Sequence, residues 1–186
     1  MPIAAEPADA TLIARVLAGD DRMAFAALVR RHQSAVRSLL RRLTGGQHAL
    51  ADDLAQETFL QAYRKLAQFR ADARFSTWLH RIATNAWLQH LRARRIELSL
   101  DDVPAVDEGL AADDEAPRAD LQLDMNRAFA VLSPAERAAI VQCYHLDMSH
   151  EEAAAALGCP VGTLKSHISR GKQKLKARLR AWELAS

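Results

Sequence analysis

Residues 149–176 read SHEEAAAALGCPVGTLKSHISRGKQKLK, and they decide how the C-terminal third of the chain folds. Ser149 followed three residues later by Glu152 is a capping box, in which a hydroxyl and a carboxylate exchange hydrogen bonds with the orphan amides of a helix start. A short helix, EEAAAAL, follows. Gly158-Cys159 makes a turn, and a second helix opens at Pro160 or Val161. Leu164, Ile168, Leu175 and Leu179 recur at helical spacing and form its inner stripe, with Gly171 on the same seam. Short helix, glycine turn and second helix make the helix-turn-helix pattern. The inner stripe leaves Lys165, Ser166, His167, Ser169, Arg170 and Lys172 facing out or to the side. Basic and hydroxyl side chains placed there can reach base edges and phosphates in a major groove. The same spacing also describes a solvated basic face on a helical hairpin. Two features favour the DNA reading: the net +6 charge of residues 163–186, and a second capping box upstream, SPAE at 133–136, with proline at the first helical position.

Working outward, the chain has 186 residues, of which 49% are apolar. Alanine, leucine and arginine dominate, glycine and proline are few, and β-branched runs are absent, so the expected fold class is all-α. Two cysteines, Cys143 and Cys159, cannot form a disulfide framework and suit a reducing compartment. MPIAAEPADA, at the start, lacks the basic stretch and apolar run of a secretory leader. No apolar run is long enough for a membrane span, so membrane insertion is not expected and a cytoplasmic location is.

Charge is distributed more unevenly than the overall +2 suggests. Residues 69–95 carry net +5, residues 97–120 net −8, and residues 163–186 net +6. Two cationic patches separated by an acidic stretch suit a polyanion touched at two places. The acidic stretch, ELSLDDVPAVDEGLAADDEAPRAD, has two prolines, a glycine and little helical periodicity, and reads as a flexible linker. The expected organisation is therefore two small helical domains, 1–95 and 121–186, joined by an acidic linker over 96–120.

In the N-terminal half, Leu12, Ile13, Val16 and Leu17 form a short stripe ending at Gly19. Asp20 or Asp21 can cap a second helix carrying Phe25, Leu28, Val29, His32, Val36, Leu39, Leu40 and Leu43. TGG at 44–46 ends it. A third helix runs roughly from Ala49 to Leu66, with Leu50, Leu54, Ala62 and Leu66 inward. The loop FRADARF follows. A fourth helix begins near Ser76 and ends in RARR at 92–95, where positive charge suits a helix C-terminus.

On the fourth helix Phe75, Leu79, Ile82 and Ala86 share one face and are expected in the core. Trp78, Arg81, Asn85 and Leu88 share an adjacent face. An aromatic ring, a guanidinium and an amide in a row can stack on and hydrogen-bond to unpaired bases, although aromatic stripes at helical spacing more often pack inward. On the third helix Asp53, Gln56, Glu57 and Tyr63 lie off the apolar stripe. They form either a solvated acidic face or a docking surface for a partner helix.

Cys143, His145, His150, Cys159 and His167 lie close in sequence, but their spacing matches no zinc-finger pattern, and no metal or other cofactor is expected. Cys159 reads as a small turn residue and Cys143 as a buried one. No phosphate-binding glycine loop, nucleophile elbow or spaced metal-ligand set is present, so an enzyme is not expected.

Taken in order, DDLAQETFLQAYRKL, FRADARFSTWLHRIATNAWLQHLRARR, LSPAERAAIV and SHEEAAAALGCPVGTLKSHISRGKQKLK resemble an extracytoplasmic-function sigma factor, a group 4 member of the sigma-70 family of bacterial RNA polymerase. The resemblance covers about residues 10 to 180 and would correspond to the family's minimal two-domain form. It implies that the N-terminal domain is region 2, docking on the β′ clamp helices of core polymerase through Asp53, Gln56 and Glu57. Arg70, Arg74, Phe75, Trp78, Arg81 and Asn85 would recognise and open the −10 element. The C-terminal domain would be region 4, reading the −35 duplex through Lys165, Ser166, His167, Ser169, Arg170 and Lys172 and contacting the β flap. The acidic linker would thread toward the active-site cleft and RNA exit path. An anti-sigma factor is the expected regulator.

Two departures stand out. Housekeeping members carry an aromatic pair where this chain has Trp78-Leu79, which implies a stricter promoter requirement. His167 and Ser169 stand where related members often carry larger or more basic side chains. With a net charge near zero, the free chain is expected to bind duplex weakly and to depend on polymerase for affinity. The alternative is a helix-turn-helix regulator acting without polymerase, which would need a dimerisation or sensor element that the N-terminal half does not offer.

Overall fold

A computed structural model describes residues 7–100 and 126–183. Among these residues every regular element is helical: α1 (Asp9–Gly19), α2 (Arg22–Leu43), α3 (His48–Lys65), a 3-10 turn (Leu66–Gln68), α4 (Phe75–Leu100), α5 (Pro134–Tyr144), α6 (His150–Leu157) and α7 (Val161–Glu183). Asp21 rather than Asp20 caps α2, its Oδ1 accepting from the Ala24 amide at 2.9 Å. Asp20 instead adopts the left-handed conformation that ends α1. The fourth helix runs to Leu100 rather than stopping at RARR, because no glycine or proline interrupts IELSL before Pro104. The expected linker therefore begins inside α4, and its residues 101–120 lie outside the described residues.

α1 to α4 pack around Leu12, Leu28, Val36, Leu39, Leu40, Leu43, Leu66 and Leu79, each essentially inaccessible to water. Phe75, Ile82 and Ala86 are buried with them, as their face of α4 predicts. Leu17 departs from its stripe and is half exposed.

In the C-terminal domain both capping boxes are complete, on Ser133 with Glu136 and on Ser149 with Glu152. Gly158 closes α6 at φ +64°, where a side chain would be strained. Gly171 has a different purpose. A Cβ there would lie 2.6 Å from Ile140 Cδ1, so the missing side chain is what lets α7 approach α5. Leu164 and Ile168 are buried, Leu175 is half-buried, and Leu179 is 49% exposed. The inner stripe thus fades, for a geometric reason. α7 has 23 residues and α5 only 11, about 34 Å against about 16 Å at 1.5 Å per residue. The far half of α7 runs beyond its cover.

The two domains are not apart. α6 packs against α4 and α5 against α2, and Ala138 and Val141 join the N-terminal core. Gln142 Nε2 donates to Thr84 Oγ1 at 3.2 Å with both groups buried. Arg137 donates to the Leu43 carbonyl at 3.0 Å, and Ser38 Oγ lies 3.3 Å from His145 Nε2.

Candidate nucleic-acid and polymerase interfaces

The start of α4 carries an aromatic cluster. Phe69, in the preceding loop, sits with its ring 5.5 Å from Phe75 and 5.4 Å from Trp78, and Phe75 is 5.6 Å from Trp78. His32 of α2 meets Phe75 edge-on at 5.3 Å. Such offset and edge-on contacts fix ring positions. Phe75 is only 5% exposed, so within the expected −10 set it packs beneath the surface and has no free face. Trp78 is half-buried, held by Phe69 and Phe75 along one side. Arg70, Arg74 and Arg81 are exposed around it, and Asn85 is half-buried two turns along. Phe69 is the member the sequence reading left out. Its signal was the FRADARF loop itself, flanked by two phenylalanines that close on each other.

Thr84 and His80 lie on a different face of α4, turned toward the C-terminal domain and buried. The docked domain therefore covers the Thr84 face and leaves Arg81 open. His80 is held neutral, its pKa pushed down to about 4 by burial first and then by the nearby His32 and His145.

On α7, Lys165, Ser166, Ser169, Arg170 and Lys172 are exposed and His167 is half-buried. Lys165, Ser169 and Lys172 follow one another at helical spacing and form an outward stripe. Several members already have internal contacts. Ser166 Oγ donates to the Gly162 carbonyl at 3.0 Å, Arg170 lies 3.0 Å from His167 Nδ1, and Lys172 Nζ sits 4.5 Å from the Tyr144 ring centre. These contacts restrict the long side chains before any ligand arrives. The tie that holds α7 in place was not visible in the stripe. Glu136, whose side chain is 5% exposed, accepts from Lys174 Nζ at 2.8 Å and from the Ser133 amide at 2.9 Å. Burial opposes ionisation of this carboxyl, but the Lys174 and Ser133 hydrogen bonds outweigh it and hold its pKa below the ordinary value.

On α3, Asp53 and Gln56 are exposed and Glu57 is half-buried, its Oε1 accepting from Gln61 at 2.9 Å. Beside them a groove of about 560 Å³ runs between α2 and α3, lined by Phe25, Val29, Phe59, Leu60 and Tyr63 among others. Leu60 is 53% exposed. The acidic face thus borders an apolar surface, which sequence periodicity assigned to core because Phe25 and Val29 fall among the helical repeats of α2. Tyr63 is anchored at the groove's end by Phe25, 4.8 Å away, and by a hydrogen bond to Asp20.

Among the described residues no cluster of three or more His, Cys, Asp or Glu could hold a metal. Cys143 and Cys159 are both half-buried, so Cys143 is less enclosed than its neighbours in sequence suggested. No described helix is long and apolar enough to cross a membrane.

The family description "Sigma-70 region 2" matches residues 28–96, and "Sigma-70, region 4" matches residues 122–175. The ECF RNA polymerase sigma factor SigE of Mycolicibacterium smegmatis is 38% identical over 80% of this chain, which spans 59% of that relative's length. The ECF RNA polymerase sigma factor SigM of Mycobacterium tuberculosis is 38% identical over 91% of this chain and 84% of its own length. The structure of the sigma factor RpoE in complex with the anti-sigma factor NepR, from Bartonella quintana, superposes with a TM-score of 0.66 at 28% identity, covering 84% of this chain and 96% of RpoE. With both regions matched in order across most of its length, this chain belongs to the extracytoplasmic-function sigma factors of the sigma-70 family, which is not an enzyme class.

Proposed function

We propose that this chain binds core RNA polymerase in the cytoplasm and directs transcription from a defined set of promoters. The observation that carries this reading is the pair of accessible basic faces on two differently built domains: Arg70, Arg74 and Arg81 around a propped tryptophan on one, and the Lys165–Lys172 stripe on the other. In this reading Asp53, Gln56 and Glu57 meet the β′ clamp helices, with the apolar groove beside them adding buried area. Trp78 stacks on an unpaired base of the −10 element while Arg81 and Asn85 hydrogen-bond to the strand. Phe69 and Phe75 hold the indole in position. Lys165, Ser166, His167, Ser169, Arg170 and Lys172 enter the major groove of the −35 duplex, and the C-terminal domain also meets the β flap.

Regulation by an anti-sigma factor follows from the same reading. RpoE of Bartonella quintana is seen bound to such a partner, and the two domains here present the same overall architecture. Reconstituted transcription tests the function. Core polymerase with this protein and genomic promoter fragments is expected to initiate at discrete start sites, and initiation no different from core polymerase alone would refute it.

A further inference from the structure

We propose that the cleft between the second half of α2 and the start of α3 binds a phosphoryl anion. The cleft encloses about 490 Å³ and is lined by Ser34, Arg37, Ser38, Arg41, Arg42 and His48, among others. Residues 34, 38 and 41, and the pair 37 and 41, recur at helical spacing, so α2 presents hydroxyls and guanidiniums along one wall. The other wall is the start of α3. Its N-cap, Gln47, makes no side-chain capping bond, so the first-turn amides lack that acceptor, and Gly46 and His48 bring this positive helix end to the cleft wall.

The cationic groups here are under-compensated. Arg37 has Asp52, with Nε 3.2 Å from Oδ1. The side chains of Arg41 and Arg42 make no hydrogen bond or ion pair with a described residue, and Arg42 Nε is buried without a partner. A desolvated guanidinium donor costs free energy unless something accepts from it. The donor set also says what kind of acceptor fits. Two uncommitted guanidinium forks, the Ser34 hydroxyl and the helix amides exceed what the two oxygens of a carboxylate can take up. A phosphoryl group presents three oxygens and up to two negative charges.

The cleft is separate from the basic stripe of α7 and from the Trp78 face, and it adjoins the domain seam, where Ser38 contacts His145. Burial and then the Arg42 charge hold the His145 pKa down. An anion on Arg42 would cancel the second effect and make His145 easier to protonate. Occupancy of the cleft is therefore readable at a distance from it.

Phosphoryl oxygens could come from a small polyphosphate or from a nucleic-acid backbone, and calorimetry on the full chain separates the two. Inorganic pyrophosphate is titrated in one arm and a short single-stranded oligonucleotide in the other. Saturable uptake of one pyrophosphate per chain is expected, with Kd below about 1 mM. Arg41→Gln and Arg42→Gln should each weaken it about tenfold or more, while the exposed Arg92→Gln should not. His145 ring resonances should titrate at higher pH when pyrophosphate is present. If the oligonucleotide also binds and pyrophosphate displaces it, the phosphoryl site stands and the backbone is its source. Because Arg41 is exposed, its variant keeps the test valid even if Arg42→Gln unfolds. No saturable heat, or uptake indifferent to both substitutions, overturns the proposal.

Discussion

At the scale of single residues, Trp78 and His80 show how different faces of one helical turn are assigned to different tasks. Trp78 leans on Phe69 and Phe75 and keeps part of its ring accessible. Trp78→Ala should cost about 2 kcal/mol of stability through lost ring contacts. It should leave polymerase binding intact and slow promoter opening, as permanganate footprinting of the −10 region would report. Unchanged opening would reduce Trp78 to a packing residue. His80 is buried and resists protonation until about pH 4, whereas an unfolded histidine takes up its proton near pH 6.5. Between those values the unfolded chain binds more protons than the folded one. Stability is thus complete above about pH 6.5 and falls toward pH 4, by up to about 3 kcal/mol. Urea midpoints measured across that window should drop steeply, and His80→Gln should flatten the dependence.

At the scale of elements, the most legible parts of the sequence were those governed by local chemistry. Both serine–glutamate capping boxes, the glycine turn at 158 and the cap at Asp21 are written in neighbouring residues, and all form. Ser149→Ala should cost about 1 kcal/mol, read by thermal melting, and should loosen α6 and with it the placement of α7. Features that depend on distant neighbours were less legible. The fading of the α7 stripe at Leu179 depends on the length of α5, and the apolar groove on α2 and α3 depends on what fails to cover Phe25 and Val29. The expected interface residues lie on accessible faces for the most part, but Phe75 shows the limit of periodicity. Spacing identifies a face, and only packing reveals whether that face reaches water.

At the scale of the whole molecule, the seam between the domains was not readable from the sequence at all, because Gln142, Thr84, Arg137 and Ser38 look like ordinary polar residues on separate helices. Gln142 is completely buried, and its Oε1 has no partner. Gln142→Met removes that unsatisfied acceptor at similar volume, and Thr84 keeps its own bond to the His80 carbonyl at 2.9 Å. The variant should therefore match or exceed the parent in thermal stability by about 1 kcal/mol; a clear loss would mean that the Gln142–Thr84 bond outweighs the stranded oxygen. The seam has a consequence for how the protein melts. Ala138 and Val141 belong to the same apolar cluster as the N-terminal helices, while the C-terminal domain's separate cluster is small, built on Leu164, Ile168, Met148 and three alanines. The C-terminal half holds little interior of its own and borrows the N-terminal core, so it should not stay folded apart from it and cooperativity should extend across both. Scanning calorimetry of the free chain is expected to give a single peak whose calorimetric and van't Hoff enthalpies agree, and the appearance of a second, lower peak would show that the halves are thermodynamically independent.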